Sequence, residues 1–286
     1  MKRSNKAPAR PFATKPTLSP AQRLAAEEAP YEGSLTSDDR RAAEVLIKHL
    51  FAPAHHRIDR LEYGAAYKLA GGAVGGDIVD VYHFDNGSVA FSIADISGKG
   101  AQAAIHAALV KYGIRCFCST GLTPESALRA LDRVYLENMS FERAESFASV
   151  FLGIFDDSRR SLTYASAGHE PVVLVQPGTA PYVLPPTAPL IGIFDDQHHL
   201  FKQGFVDTSP GTLLVATTDG VTEARSRDGG FFGMERLVQA IARNAERSPT
   251  ELVAELLREV EDFAGNSLHD DVAAFAVRIL PPPPGS

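Results

Sequence analysis

Cysteine is scarce in this chain. There are two in 286 residues, Cys116 and Cys118, both inside one predicted helix. Residues two apart on a helix point in different directions, so this C-x-C pair is a weak metal signal and reads as plain thiols in a reducing cytoplasm. Long apolar runs are missing too: the hydrophobic stretches are strand-length or broken by charge, which argues against a transmembrane helix of about 20 apolar residues. Met1 to Pro20 carries basic side chains but no continuous apolar segment, so it does not read as a secretory signal. Nor is positive charge in surplus. The net charge is −7 and the pI is near 5.7, so neither nucleic acid nor an anionic membrane is expected as a partner.

Several catalytic signatures are also absent. Ser97-Gly98-Lys99-Gly100 resembles part of a P-loop, but Ile93 stands where that motif needs glycine, and Gly100 where it needs Ser or Thr. Gly71 to Gly76 lacks the G-x-G-x-x-G spacing. A thiol phosphatase needs Arg six residues after Cys; Leu122 and Pro124 occupy those positions. G-x-S-x-G and H-E-x-x-H do not occur. The pairs His55-His56 and His198-His199 lie in polar, loop-like stretches and read as solvated.

What is present is a set of four aspartates, each read as standing where a hydrophobic strand stops: Asp77, Asp95, Asp219 and Asp270. A carboxylate in an apolar run is costly unless its charge is compensated. Four such groups suggest convergence on divalent cations, and an all-oxygen site suits magnesium or manganese. Aspartate is also a common turn former. That accounts for Asp85, Asp156 and Asp195 and in part for Asp219-Gly220, but poorly for all four in their motifs.

Hydrophobic residues make up 44% of the chain, enough to bury a sizeable core as one large domain or two smaller ones. Residues 1–35 read as a disordered tail and 36–60 as a helix and linker. Within the latter, Ala42, Val45, Leu46, His49 and Leu50 share one helical face. Residues 61–281 form the main domain, followed by a short tail at 282–286. Strands are expected over Tyr63–Leu69, Ile78–Phe84, Val89–Ala94, Phe147–Phe155, Ser161–Ala165, Pro171–Val175, Tyr182–Leu184, Thr212–Thr217 and Val272–Leu280. Asp85-Asn86-Gly87 reads as a hairpin turn. Helices are expected from Gly100 to about Phe117, from Thr123-Pro124, and from the capping box Ser248-Pro249-Thr250-Glu251. Strand runs interrupted by helix pairs suggest an α+β class with two antiparallel sheets flanked by helices.

Five motifs occur in order: Val74-Gly75-Gly76-Asp77-Ile78-Val79-Asp80, Ala94-Asp95-Ile96-Ser97-Gly98-Lys99-Gly100, Ala167-Gly168-His169-Glu170-Pro171, Thr218-Asp219-Gly220-Val221-Thr222-Glu223, and Asp270-Asp271-Val272. In this order they resemble the metal-dependent serine/threonine phosphatases of the PPM, or protein phosphatase 2C, superfamily, in its bacterial SpoIIE/RsbU-type branch. The resemblance implies an αββα sandwich and a two-metal site. It assigns Asp95 as the bridge between two Mn2+ or Mg2+ ions. Asp219 and Asp270 would hold one ion, Asp77 and the Ile96 carbonyl the other, while Asp80 and Asp271 would support them. Asp95 and Asp219 are the expected catalytic positions. Lys99 is left with two readings, a solvated turn residue or a phosphate contact, and His169 is expected mainly to shape its turn. Three positions depart from the family pattern without removing a ligand: Ala94 for glycine, Ala273 for threonine, and Ala70-Gly71 for Pro-Ala.

The implied reaction is hydrolysis of a phosphoserine or phosphothreonine by metal-activated water. The expected substrate is a phosphorylated anti-anti-sigma (STAS-domain) protein in a partner-switching pathway. Control is expected to act through the 37–52 helix, a partner or homodimerisation. Two alternatives stay open at this point, a non-catalytic phosphoprotein-binding pseudophosphatase and a hydrolase of small phosphorylated metabolites.

Overall fold

The apolar strands carry hydrophobic side chains on both faces, which requires cover on both sides. The computed structural model supplies that cover. It describes residues 57–282, except 59, 69–75, 86, 99, 143–145, 159, 195, 266 and 267. The expected tail at 1–35 and most of the 36–60 segment, including its helix, lie outside the described residues.

The elements are β1 (Arg57–Ile58), β2 (Leu61–Lys68), β3 (Ile78–His83), β4 (Val89–Ile96), α1 (Ala101–Ser119), α2 (Pro124–Glu142), β5 (Ala148–Asp156), β6 (Ser161–Ala167), β7 (Val172–Val175), β8 (Tyr182–Leu184), a 3-10 turn (His198–Leu200), β9 (Gly204–Asp207), β10 (Leu213–Thr217), α3 (Asp219–Thr222), α4 (Gly233–Asn244), α5 (Pro249–Ala264) and β11 (Val272–Ile279). One sheet has the order β1-β2-β11-β10-β7-β8 and the other β3-β4-β5-β6-β9. Every strand pairing in both is antiparallel. The expected αββα sandwich is borne out.

Three apolar layers hold it. Tyr63, Phe91, Phe151, Tyr164 and Phe275 meet between the sheets. Val110, Ile114, Leu128, Leu131 and Tyr135 of α1 and α2 pack on the outer face of the second sheet. Leu237 and Ile241 of α4, with Leu252, Val253, Leu256 and Val260 of α5, cover the first. Local chemistry sets the boundaries. In the β3–β4 turn Gly87 has φ 83, a conformation that a Cβ disfavours. The Thr123 hydroxyl accepts the Ser126 amide at 3.4 Å, capping α2. Ser248 and Glu251 form the reciprocal capping box that opens α5, and Gly265 in the left-handed region closes it.

Helix α4 was not expected. Leu237, Ala240 and Ile241 show the right spacing, but the segment has no side-chain cap to announce it. The short edge strand β9 was also missed; it is four residues long and leaves Phe205 exposed.

Candidate metal centre

Strand periodicity decides which aspartates meet. In β4, Val89, Phe91 and Ile93 face the inter-sheet layer, and Asp95 continues that row by the two-residue repeat. Val79 of β3 faces the same layer, and Asp77, two residues earlier, shares its side. Because β3 and β4 are antiparallel, both carboxylates come to one end of the sandwich. From the other sheet, β10 ends and β11 begins at that end, bringing Thr218, Asp219, Asp270 and Asp271. The Thr218 hydroxyl crosses between the sheets, donating to Asp77 Oδ2 at 2.8 Å and accepting the Ala273 amide at 2.9 Å.

One cleft of about 360 Å³ is lined by Asp77, Asp95, Asp219, Asp270, Asp271 and Glu170, and also by Gly76, Ile96 and Ser97. All of the sequence-derived candidates, Asp77, Asp95, Ile96, Asp219 and Asp270, therefore surround one space. Their placement refines the opening picture of aspartates at strand ends. Asp77 and Asp270 precede their strands, Asp95 lies inside β4, and Asp219 opens α3. Gly76 and Gly220 are explained by close approach. A Cβ on Gly76 would lie 2.2 Å from the Ile96 carbonyl oxygen, and one on Gly220 1.9 Å from that of Asp271. At Gly168 (φ 59) it would lie 2.6 Å from Leu190, so this glycine admits Leu190 to the cleft.

Asp80 does not join the site. Three residues after Asp77, it faces the helices, where Arg115 Nε and Nη2 each reach it at 2.6 Å and Lys111 Nζ at 3.2 Å. It therefore does not compete with Asp77 for a place in the cleft. Asp80→Ala should leave the Lys111 ammonium buried without this carboxylate and destabilise the fold by about 3 kcal/mol or more. Urea unfolding checks this, and a loss below about 1 kcal/mol would show the pair to be energetically idle. His198 departs from the solvated reading: its Nδ1 lies 3.1 Å from Oδ2 of the fully buried Asp132. Cys116 is exposed and Cys118 buried, so the two thiols do point apart.

Three carboxyls of the cleft are held above their ordinary range. Burial, then Asp95, holds the Asp77 carboxyl well above the usual range. Asp95 is raised mainly by burial, with Asp270, Asp271 and Glu170 adding to it and Asp77 opposing. Asp219 is pushed up to about 6 by burial and then by Asp95 and Asp270. The Tyr67 phenol is also raised, by burial first and then by Asp271, Asp77 and Asp95. Tyr67 thus borders the acidic centre, which its alternating strand context gave no reason to suspect. Burial alone pushes His169 down to about 3; its Nδ1 lies 2.9 Å from the Ser149 hydroxyl, and the ring is neutral at physiological pH.

These donors are carboxylates and one backbone carbonyl, the hard oxygen set that magnesium and manganese take. No Lys or Arg occurs among the described residues lining the cleft. Among the described residues, no three acidic, His or Cys side chains stand close enough to form a finished metal cage.

A family model described as "Stage II sporulation protein E (SpoIIE)" matches residues 85–280. The chain is 33% identical over 205 residues to the phosphoserine phosphatase RsbU of Bacillus subtilis, a match covering 70% of this chain and 58% of RsbU. The chain belongs to the SpoIIE family. Solved SpoIIE-like folds agree in architecture. The SiaA PP2C domain of Pseudomonas aeruginosa superposes with a TM-score of 0.71 at 18% identity, covering 92% of this chain and all of that one. A structure of the B. subtilis SpoIIE PP2C domain with a fragment of its regulatory domain gives 0.66 at 20% identity, covering 79% of this chain and 64% of that one. This SpoIIE-family chain spans 58% or less of the length of the curated relatives it matches.

Proposed function

We propose that the chain is a metal-dependent protein serine/threonine phosphatase. The observation that carries the reading is the end of the inter-sheet layer, where six carboxylates, with three of their acidities weakened, line one cleft. Asp95, at the centre of the set, would bridge two Mn2+ or Mg2+ ions. Asp219 and Asp270 would hold one, and Asp77 with the Ile96 carbonyl the other. When bound, the ions supply charge neutralisation at the phosphoryl oxygens and a water of lowered pKa. The chain's own residues orient and exclude. Thr218 fixes one Asp77 oxygen, Gly76 lets the Ile96 carbonyl approach, and Phe147 and Leu190 add apolar surface to the cleft. His169, its Nδ1 2.9 Å from the Ser149 hydroxyl, would hold Ser149 at the cleft.

The resemblance to RsbU-type relatives supports a STAS-domain phosphoprotein as substrate within a partner-switching pathway, in the cytoplasm and with a homodimer as one route of control. No helix among the described residues is long and apolar enough to cross a membrane, and two free thiols accord with a reducing compartment.

The test is hydrolysis of a phosphoserine peptide and of an aryl phosphate by the native chain with millimolar Mn2+, with Mg2+, and after chelation. Metal-dependent phosphate release from the peptide is expected. Binding of the peptide without release under any metal would favour a non-catalytic module, and release from the aryl phosphate alone a small-molecule hydrolase.

A further inference from the structure

The lining of the cleft is mixed: beside the carboxylates it includes two large apolar side chains, Phe147 and Leu190. Phe147 is 44% exposed, yet its backbone is held on both sides. Its amide donates to the Ser97 hydroxyl and its carbonyl accepts the Ser97 amide, each at 2.9 Å. The preceding Ser146 hydroxyl lies 2.8 Å from the Tyr135 hydroxyl, 3.2 Å from His106 Nδ1 and 3.2 Å from the Ser97 hydroxyl.

Leu190 is held in a similar way. Its carbonyl accepts Gln197 Nε2 at 2.8 Å. The next residue, Ile191, exchanges both backbone hydrogen bonds with Ala148, at 2.9 and 3.0 Å. Asp132 Oδ1 then accepts the Gly192 amide at 2.8 Å and Gln197 Nε2 at 2.9 Å. Asp132 and Gln197 are themselves buried. A scaffold of buried polar anchors thus fixes two large apolar side chains where water still reaches them. Preorganisation of this kind suits contact with a ligand, because little ordering remains for the moment of binding.

We propose that Phe147 and Leu190 determine specificity, receiving an apolar side chain next to the phosphorylated residue while the carboxylates and their ions take the phosphoryl group. The proposal rests on the protein-phosphatase reading and names the substrate feature that this site selects. Apolar side chains at the cleft favour an apolar neighbour over a charged one, and no Lys or Arg among the described lining residues offers an acidic neighbour a partner.

The experiment compares two phosphoserine peptides, one flanked by leucine and one by glycine, in two ways. Turnover is read as kcat/KM with Mn2+, and equilibrium binding is read by fluorescence anisotropy on Asp219→Asn. The native chain is expected to favour the leucine peptide about tenfold, as discrimination in an apolar pocket allows. Phe147→Ala should bring the ratio close to unity, and Phe147→Leu should keep most of it. Because Phe147 is half exposed, Phe147→Ala is expected to fold. Equal use of both peptides by the native chain would overturn the proposal, as would a ratio that survives both Phe147→Ala and Leu190→Ala. If neither peptide is hydrolysed but the binding preference persists and Phe147→Ala abolishes it, the phosphatase reading fails and the apolar contact stands. If neither peptide is hydrolysed or bound, both fail.

Discussion

Asp95→Asn is expected to lower Mn2+-dependent turnover of a phosphoserine peptide by about a thousandfold or more while raising the melting temperature of the metal-free protein. The loss follows from the proposed bridging role. One carboxylate shared by two ions sets both their positions and their charge, and metal-ion stabilisation of a transition state is worth several kcal/mol, with each 1.4 kcal/mol a factor of about ten. The gain in stability has a separate cause. Burial, with Asp270, Asp271 and Glu170 nearby, holds the folded-state acidity of Asp95 weaker than normal. For such a group the native state is favoured below the unfolded-chain value, and the advantage fades as pH rises through the raised native value. At neutral pH the ionised form is therefore a burden on the fold, which the neutral amide removes while keeping a hydrogen-bond donor near Asp77. The melting temperature of the metal-free protein is therefore expected to rise. Turnover within tenfold of native would remove Asp95 from the reaction, and a melting temperature that falls would show that the cleft tolerates its charge.

Millimolar Mn2+ should raise the melting temperature of the native chain by about 5–10 °C at pH 7.5 and much less at pH 5. Cations that bind only the folded state stabilise by mass action, by about 2.7 kcal/mol at a hundredfold excess over Kd. The pH dependence comes from the ligands. Asp219 is pushed up to about 6, and Asp77 and Asp95 are raised by burial as well. Below pH 6 Asp219 holds a proton that a metal must displace, and the raised Asp77 and Asp95 add to that competition. Without metal the contribution of these three carboxyls reverses: it favours the fold most at low pH and declines between about pH 4 and the raised native values. Thermal unfolding across pH 5–8, with and without Mn2+, should show the two curves diverging as pH rises. A melting temperature indifferent to Mn2+ at pH 7.5 would sink the metal reading of these aspartates.

Much of the fold was legible because strands and caps are local. The strand expected over Val89–Ala94, the Asp85–Gly87 turn and the Ser248–Glu251 capping box are read from neighbours in sequence and are present, the strand running on to Ile96. Helix α4 lacked a cap and β9 was too short and exposed, so both escaped notice. At the site, the aspartates were conspicuous because carboxylates are rare inside apolar runs. Their apolar counterparts were not, since Phe147 and Leu190 look like any strand or loop hydrophobe until the fold turns them toward the cleft.

By itself the sequence determined the chemistry available to this protein. It supplies acidic side chains at five ordered motifs, without a thiol, serine or nucleotide-loop nucleophile motif. Only the tertiary structure decided which carboxylates share a space. Asp77 and Asp80 are three residues apart and equally acidic on the page, yet strand pleating sends one toward Thr218 and the cleft and the other to Lys111 and Arg115. The reason is that side-chain direction in a strand has a period of two, and what lies on each side belongs to distant parts of the chain. For Asp77 that is Thr218, just after β10 and 141 residues away. For Asp80 it is helix α1, with Arg115 35 residues away.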